Sequence, residues 1–312
     1  MIGPAGSGKT TISKRVVIKT LDEKRHCFLV PLAYIKPDDN ISLKQLLLSF
    51  PMILFANEVL VKEHDLDVAF KWLLKNQNKI TIIFDGLDQA RFTLEDLKVQ
   101  SAVDVNKKYL PSELLFFILS RSLIPDVRLI VTSRPHSILN FVPSIQPDHV
   151  VYLDDLAEED MKTLMMFYLK DHDINQIIDK LLEKSPKVQQ LTYCPLFLRM
   201  FCQLFQLVGE VEIWKFVRST ANLFYELLRR LHQSSHNAKE IEDVENFRRI
   251  SKLAYSKTMQ GSVVINQTDL LNLNMEAADI QNLMIGIHDN ARSMLIGPCL
   301  FYFAHQSIQV NF

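Results

Sequence analysis

The segment Gly3-Pro4-Ala5-Gly6-Ser7-Gly8-Lys9-Thr10 gathers three of the chain's eight glycines into six positions and ends in an amine and a hydroxyl. It fits the spacing G-x-x-x-x-G-K-[ST] throughout. Glycines let a backbone adopt positive φ and bring successive N–H groups up to an anion with no Cβ in the way. A helix beginning directly after such a loop adds about half a positive charge at its N-terminus. The chemistry is polyphosphate binding. Gly3, Pro4, Ala5, Gly6, Ser7, Gly8 and Thr11 belong to the cradle, Lys9 reaches the β- and γ-phosphates, and the Thr10 hydroxyl binds Mg²⁺. A second chemical position is Asp85, which closes the apolar, β-branched run Lys79–Phe84. A carboxylate at the C-terminal end of a buried strand lies where open α/β sheets bind ligands, and it can hold Mg²⁺ directly or through water. Asp88, three residues on, is placed to orient an attacking water. A third apolar run, Val127–Thr132, ends in Ser133-Arg134-Pro135, which puts Thr132 or Arg134 beside the γ-phosphate. The catalytic candidates are therefore Asp85, Asp88 and Arg134, and the metal candidates are Thr10 and Asp85.

These positions need a scaffold. Ile12, Val16, Val17 and Leu21 recur at helical spacing after the glycine-rich loop, so Thr11–Leu21 is expected to be a helix with that stripe as its inner face. Lys14, Arg15, Lys19, Lys24 and Arg25 make this end basic, as on a solvated face. Residues His26–Ile35 read as a strand entering a loop, Ser42 to about Asn76 as helical, and Val150–Leu153 as a fourth strand. Strands alternating with helices predict a parallel, doubly wound α/β sheet. From Asp154 onward the pattern is helical. Ala157–Asp160 places acids in the first turn of a helix through Lys170, as the helix dipole prefers. Ile174–Lys184, Ile241–Thr258 and Thr268–Ile285 are further helices. The stripe Trp214, Val217, Ala221, Phe224, Leu228 and Leu231 reads as core. Ser293–Ala304 reads as a strand or hairpin. The predicted organisation is a P-loop domain over 1–153, a small helical domain over 154–210 and a last domain over 211–312. Only Met1 and Ile2 precede Gly3, whereas such a loop normally hangs from a buried strand, so the sequence is expected to be a piece of a longer protein.

Composition narrows the classes. The chain has 312 residues, 48% hydrophobic and 23% charged, with a formal net charge of −1. That is globular composition, and it excludes a globally basic nucleic-acid coat and an acidic tail; no specific nucleic acid is expected. The four cysteines, Cys27, Cys194, Cys202 and Cys299, have neither CxxC spacing nor a disulfide framework, so reduced thiols are expected. Residues Gln189–Gly209 are apolar but contain Arg199, which costs about 2.5–3.5 kcal/mol at a bilayer centre. They read as a buried helix, and no membrane span is expected.

Other P-loop classes leave marks that this chain lacks. Asn106-Lys107-Lys108-Tyr109 has no aspartate for reading guanine, no arginine-rich lid follows the sheet, and Gly86 stands where motor ATPases of the AAA+ type carry glutamate. Taken together, Gly3–Thr11, Phe84-Asp85-Gly86-Leu87-Asp88-Gln89 and Leu129–Pro135 resemble the NACHT domain, the regulatory ATPase of Nod-like receptors and other STAND signalling proteins. Leu156–Asp160 is similar to the start of that family's helical domain, and Tyr193-Cys194-Pro195-Leu196 to the segment whose proline packs on the nucleotide. Phe303-Ala304-His305-Gln306-Ser307-Ile308-Gln309 is similar to its winged-helix motif. The resemblance implies nucleotide contacts for Pro195 and, in the ADP state, for His305. It also implies a winged-helix domain over 211–312, homo-oligomers in the ATP state, effector or adaptor partners bound through other domains, a cytoplasmic site of action and slow ATP hydrolysis. The departure is Gln89, where the family mostly has glutamate; glutamine can orient water but cannot take a proton. A P-loop ATPase or kinase whose turnover is itself the function is the alternative.

Overall fold

The computed structural model describes residues 1–49, 62–94, 103–135, 145–170, 172–218, 222–223, 225–227, 240–260, 265–274, 284–287 and 300–303. Two compact units are distinguished. The first contains Met1–Pro4 and Lys9–Leu153. Its elements are α1 (Lys9–Asp22), β1 (His26–Pro31), β2 (Ile41–Ser42), α2 (Glu63–Lys75), β3 (Ile80–Asp85), β4 (Lys108–Tyr109), α3 (Pro111–Leu119) and β5 (Arg128–Val131).

The strands β1, β3 and β5 form a parallel sheet in that order. Central β3 is β-branched and aromatic and buried on both faces from Ile80 to Phe84, as a strand covered by helices requires. The register sets Pro31 level with Asp85 and Phe84 level with Val131, so the strand ends line up along one rim. Beyond β5 the sheet continues through single residues: Ile2 bridges in parallel both to Ser133 and to Tyr152. The fourth strand expected over Val150–Leu153 is thus one bridge, held by Ile2 N–H to Val151 O and Leu153 N–H to Ile2 O. Because β5 lies between β3 and Ile2, the end of β5 separates the root of the glycine-rich loop from Asp85. The short β2 and β4 pair antiparallel.

The inner face of α1 differs from the expected stripe. Ile12 and Leu21 are exposed, while Ser13 and Thr20 are buried. On this inward face Ser13 approaches the carboxylate of Asp85, and Thr20 meets the Cys27 thiol. Burial pushes the Cys27 thiol up to about 11, which keeps it protonated and unreactive.

The second unit takes in Ala5–Gly8, Asp154–His288 and Cys299–Phe312. Its elements are α4 (Glu158–Tyr168), α5 (Ile174–Lys184), α6 (Pro186–Leu191), α7 (Pro195–Phe216), α8 (Glu240–Met259), β6 (Ile265–Asn266), α9 (Gln267–Leu271), β7 (Met284–Ile287) and β8 (Leu300–Phe303). In α5 the Asp173 carboxylate accepts the N–H of Gln176 as an N-cap, and Ile174, Ile177 and Leu181 are buried at helical spacing. They join Met161, Met165, Leu198, Phe201, Leu204 and Phe205 in one core. Helix α7 is broken at Gly209, whose φ of 79° and ψ of 167° are not helical. Among the described residues no helix is long and apolar enough to cross a membrane. The helix expected to run through Ile285 gives way to β7, which pairs antiparallel with β8 while β8 pairs with β6. Ile285 and Ile287 suit that ladder better than a helix, since β-branching crowds a helical turn. Phe224, Leu228, Leu231 and residues 293–299 lie outside the described residues.

Candidate functional site

In the first unit, chemistry collects at the rim formed by the ends of β3 and β5. Asp85 ends β3, and its carboxylate is held by hydroxyls. Thr10 Oγ1, in the first turn of α1, donates to Asp85 Oδ2 at 2.7 Å. Thr132 Oγ1 donates to Asp85 Oδ1 at 2.7 Å, and Ser13 Oγ lies 3.5 Å from the same oxygen. Two residues 75 positions apart in sequence, Thr10 and Asp85, therefore present adjacent hard oxygens. Among the described residues no group of three or more His, Cys, Asp or Glu side chains could hold a metal by itself. One carboxylate and one hydroxyl, completed by phosphate oxygens and water, is the donor set that Mg²⁺ takes in nucleotide sites, so Thr10 and Asp85 fit that ion.

Lys9 Nζ donates to the carbonyls of Gly3 and Pro4, each at 2.7 Å. The ammonium thus lies over the root of its own loop. Gly3 N–H in turn donates to Ser133 O, and Ser133 N–H to Met1 O, which ties the loop's root to the end of β5.

Thr132 directly follows β5. It is fully buried, and its hydroxyl is used twice: it donates to Asp85 and accepts the Gly86 N–H at 2.8 Å. Arg134 Nε pairs with Asp88 Oδ2 at 3.0 Å. The Asp88 side chain is 4% exposed, and its Oδ1 has no hydrogen-bond partner. Gly86 has φ of 78°, and a Cβ there would meet Gln89 Oε1 at 3.2 Å. The Gln89 side chain is thus folded back over the turn, and the positive φ favours glycine at position 86.

In the second unit the loop tip meets the start of α7. Leu196 N–H donates to Gly6 O at 3.3 Å, and Cys194 Sγ lies 3.9 Å from Ala5 O. Gly6 has φ of 82°, and a Cβ would come within 2.8 Å of Cys194 Sγ. Pro195 opens α7 at its first turn, where its missing N–H costs nothing. The Ser7 hydroxyl is buried without a partner. His305 lies outside the described residues. Sequence reasoning missed Ser13, whose only signal was a small polar residue one turn after Lys9, and the Leu196 contact, which is backbone and leaves no sequence mark.

Residues 1–172 match the NACHT domain profile, more than half of the 312 residues. The chain belongs to the NACHT domain family. Human "NACHT, LRR and PYD domains-containing protein 7" is 24% identical over 98% of this chain and 30% of its own length. The human protein 2 of the same series is 23% identical over 99% of this chain and 28% of its own. The NACHT chain thus spans less than a third of the length of these relatives. The crystal structure of Cdc6p from Pyrobaculum aerophilum aligns with 99% of this chain and 85% of its own at a TM-score of 0.39 and 11% identity, a likeness too remote to bear on function. The parallel sheet, the glycine-rich loop and the NACHT match make this a nucleotide-binding P-loop NTPase module of α/β class.

Proposed function

We propose that the chain is the nucleotide core of a signalling switch in which ADP holds a closed state and ATP favours an open one that self-assembles. The observation that carries this reading is the Thr10–Asp85 contact at 2.7 Å, which joins the P-loop hydroxyl to the strand-end carboxylate. Gly3, Pro4, Ala5, Gly6, Ser7, Gly8, Lys9, Thr10 and Thr11 would cradle the phosphates of ATP or ADP, and Thr10 and Asp85 would hold Mg²⁺. When bound, Mg²⁺ supplies charge neutralisation at the phosphates. Arg134 would read the γ-phosphate, Pro195 would pack on the nucleotide, and His305, from a winged-helix domain over 211–312, would contact the ADP form. Three domains, 1–153, 154–210 and 211–312, would move in this cycle. A ligand shifts such an equilibrium only by its differential affinity for the two states.

Slow turnover suits a switch. Gln89 cannot act as a base, and Asp88 is engaged by Arg134. The relatives' names set NACHT beside LRR and PYD domains, which supports partners bound through other domains; Nod-like-receptor signalling in the cytoplasm, homo-oligomers in the ATP state and effector or adaptor proteins complete the proposal. A turnover enzyme, ATPase or kinase, is favoured by one observation, the unpartnered Asp88 Oδ1 that could accept a proton or position water.

Labelled ATP and ADP binding, light-scattering mass with each nucleotide, and turnover measured on the 312-residue chain decide between these readings. The switch predicts nucleotide-dependent mass with turnover well below the ~10 s⁻¹ typical of enzymes. Lys9→Ala should weaken both nucleotides at least tenfold, since a charge-assisted hydrogen bond is worth about 1.5–3 kcal/mol. Unchanged binding in a folded Lys9→Ala variant would refute the P-loop assignment. Fast turnover with constant mass would favour the enzyme.

A further inference from the structure

We infer that Thr132 is a positioning residue for the metal site, acting through Asp85 rather than touching nucleotide. The inference rests on the reading of Asp85 as a Mg²⁺ ligand. A carboxylate at a strand end has two oxygens and a freely turning χ2, so something must choose which oxygen faces the cation. Thr132 makes that choice. Its hydroxyl occupies Oδ1 at 2.7 Å, leaving Oδ2 as the oxygen that meets Thr10. The threonine is itself held on all sides: its N–H donates to Phe84 O, its carbonyl accepts Leu87 N–H, and its Oγ1 accepts Gly86 N–H. The accepted Gly86 N–H fixes the direction in which the hydroxyl proton points, so the donor is aimed at Asp85. With 0% exposure the network has no water to substitute for it. Ser13 approaches the same Oδ1 from α1 at 3.5 Å, a weaker support from the other side.

The strand order makes this arrangement necessary. β5 runs between the loop's root and β3. Thr132, the first residue past β5, bonds on one side to the turn Phe84–Leu87, and the next residue, Ser133, bonds on the other to Met1 and Gly3. Any shift of the end of β5 is therefore felt by both the carboxylate and the loop. Groups that orient a metal ligand from behind typically change metal affinity 10–100-fold when removed.

The test is nucleotide affinity of the 312-residue chain at graded Mg²⁺, with thermal melting alongside. Thr132→Val, which keeps the shape and removes the hydroxyl, should lower Mg²⁺-ATP affinity about tenfold while metal-free ADP affinity stays within about twofold. Thr132→Ser should restore the Mg²⁺ dependence. In the Asp85→Asn background, Thr132→Val should cause no further Mg²⁺-specific loss. If the valine variant does not fold, Thr132→Cys, of similar volume with a weak S–H donor, should show the same selective loss to a smaller degree. Equal loss with and without Mg²⁺, or failure of serine to rescue, overturns the inference and makes Thr132 a structural residue. Should Asp85→Asn alone leave the Mg²⁺ dependence intact, the metal assignment of Asp85 falls, a separate outcome from failure at Thr132.

Discussion

Asp88 and Arg134 pair at 3.0 Å across two strand ends 46 positions apart. The pair changes what each residue can do. A guanidinium engaged by a buried carboxylate must share or exchange that partner before it can meet a phosphate. Removing the charge at Asp88 should then leave Arg134 freer for a γ-phosphate. In Asp88→Asn we expect ATP affinity to rise relative to ADP while turnover falls, a split that equilibrium binding of both nucleotides and single-turnover hydrolysis would reveal. An unchanged ATP-to-ADP ratio would mean the pair does not restrain Arg134. Thr132 is a different case. Its type and position at a strand end suggested a phosphate contact, and only the strand order, which sequence periodicity does not encode, turns it to Asp85 instead.

At the scale of elements, α5 was legible to the residue, because an Asp cap and a clean apolar spacing point the same way. Helix α1 was legible as a helix but not in its orientation. The apolar stripe pointed one way, while the face that meets Asp85 through Ser13 is another. The helix read over Thr268–Ile285 takes in the first two residues of β7, because a short apolar run has no decisive period. Glycines separate two further cases. Gly6 is fixed by positive φ and by crowding from Cys194 and Leu196, whereas Gly209 has positive φ and nothing within 4 Å of a Cβ. Alanine at 209 therefore meets a conformational cost alone, about 1–3 kcal/mol for a glycine-only backbone region. Gly209→Ala should lower the melting temperature by several degrees, with nucleotide affinity unchanged. Gly6→Ala should lose nucleotide binding as well, since the loop tip must give way. Melting curves and ADP titrations on the two variants test the contrast, and a Gly209→Ala protein that melts higher than the parent would show that the break in α7 is not required.

For the molecule as a whole, the α/β class, the P-loop and the helical character after Asp154 were readable because each repeats a local pattern over many residues. Which groups meet was less so, because that depends on chain returning from far away. The root of the phosphate loop is the extreme example. Met1 and Ile2 hydrogen-bond to Val131, Ser133, Val151 and Leu153, partners about 130 to 150 positions distant. Helices form in about a microsecond, but closing such long loops must wait until the intervening chain has collapsed. In time, then, the loop that defines this protein's chemistry is anchored late. During refolding from denaturant, helical circular dichroism should recover first and the capacity to bind a fluorescent ADP analogue should recover in a slower phase, with Ile2→Gly widening the gap between the two; simultaneous recovery would mean that the loop is seated before the strands that hold it.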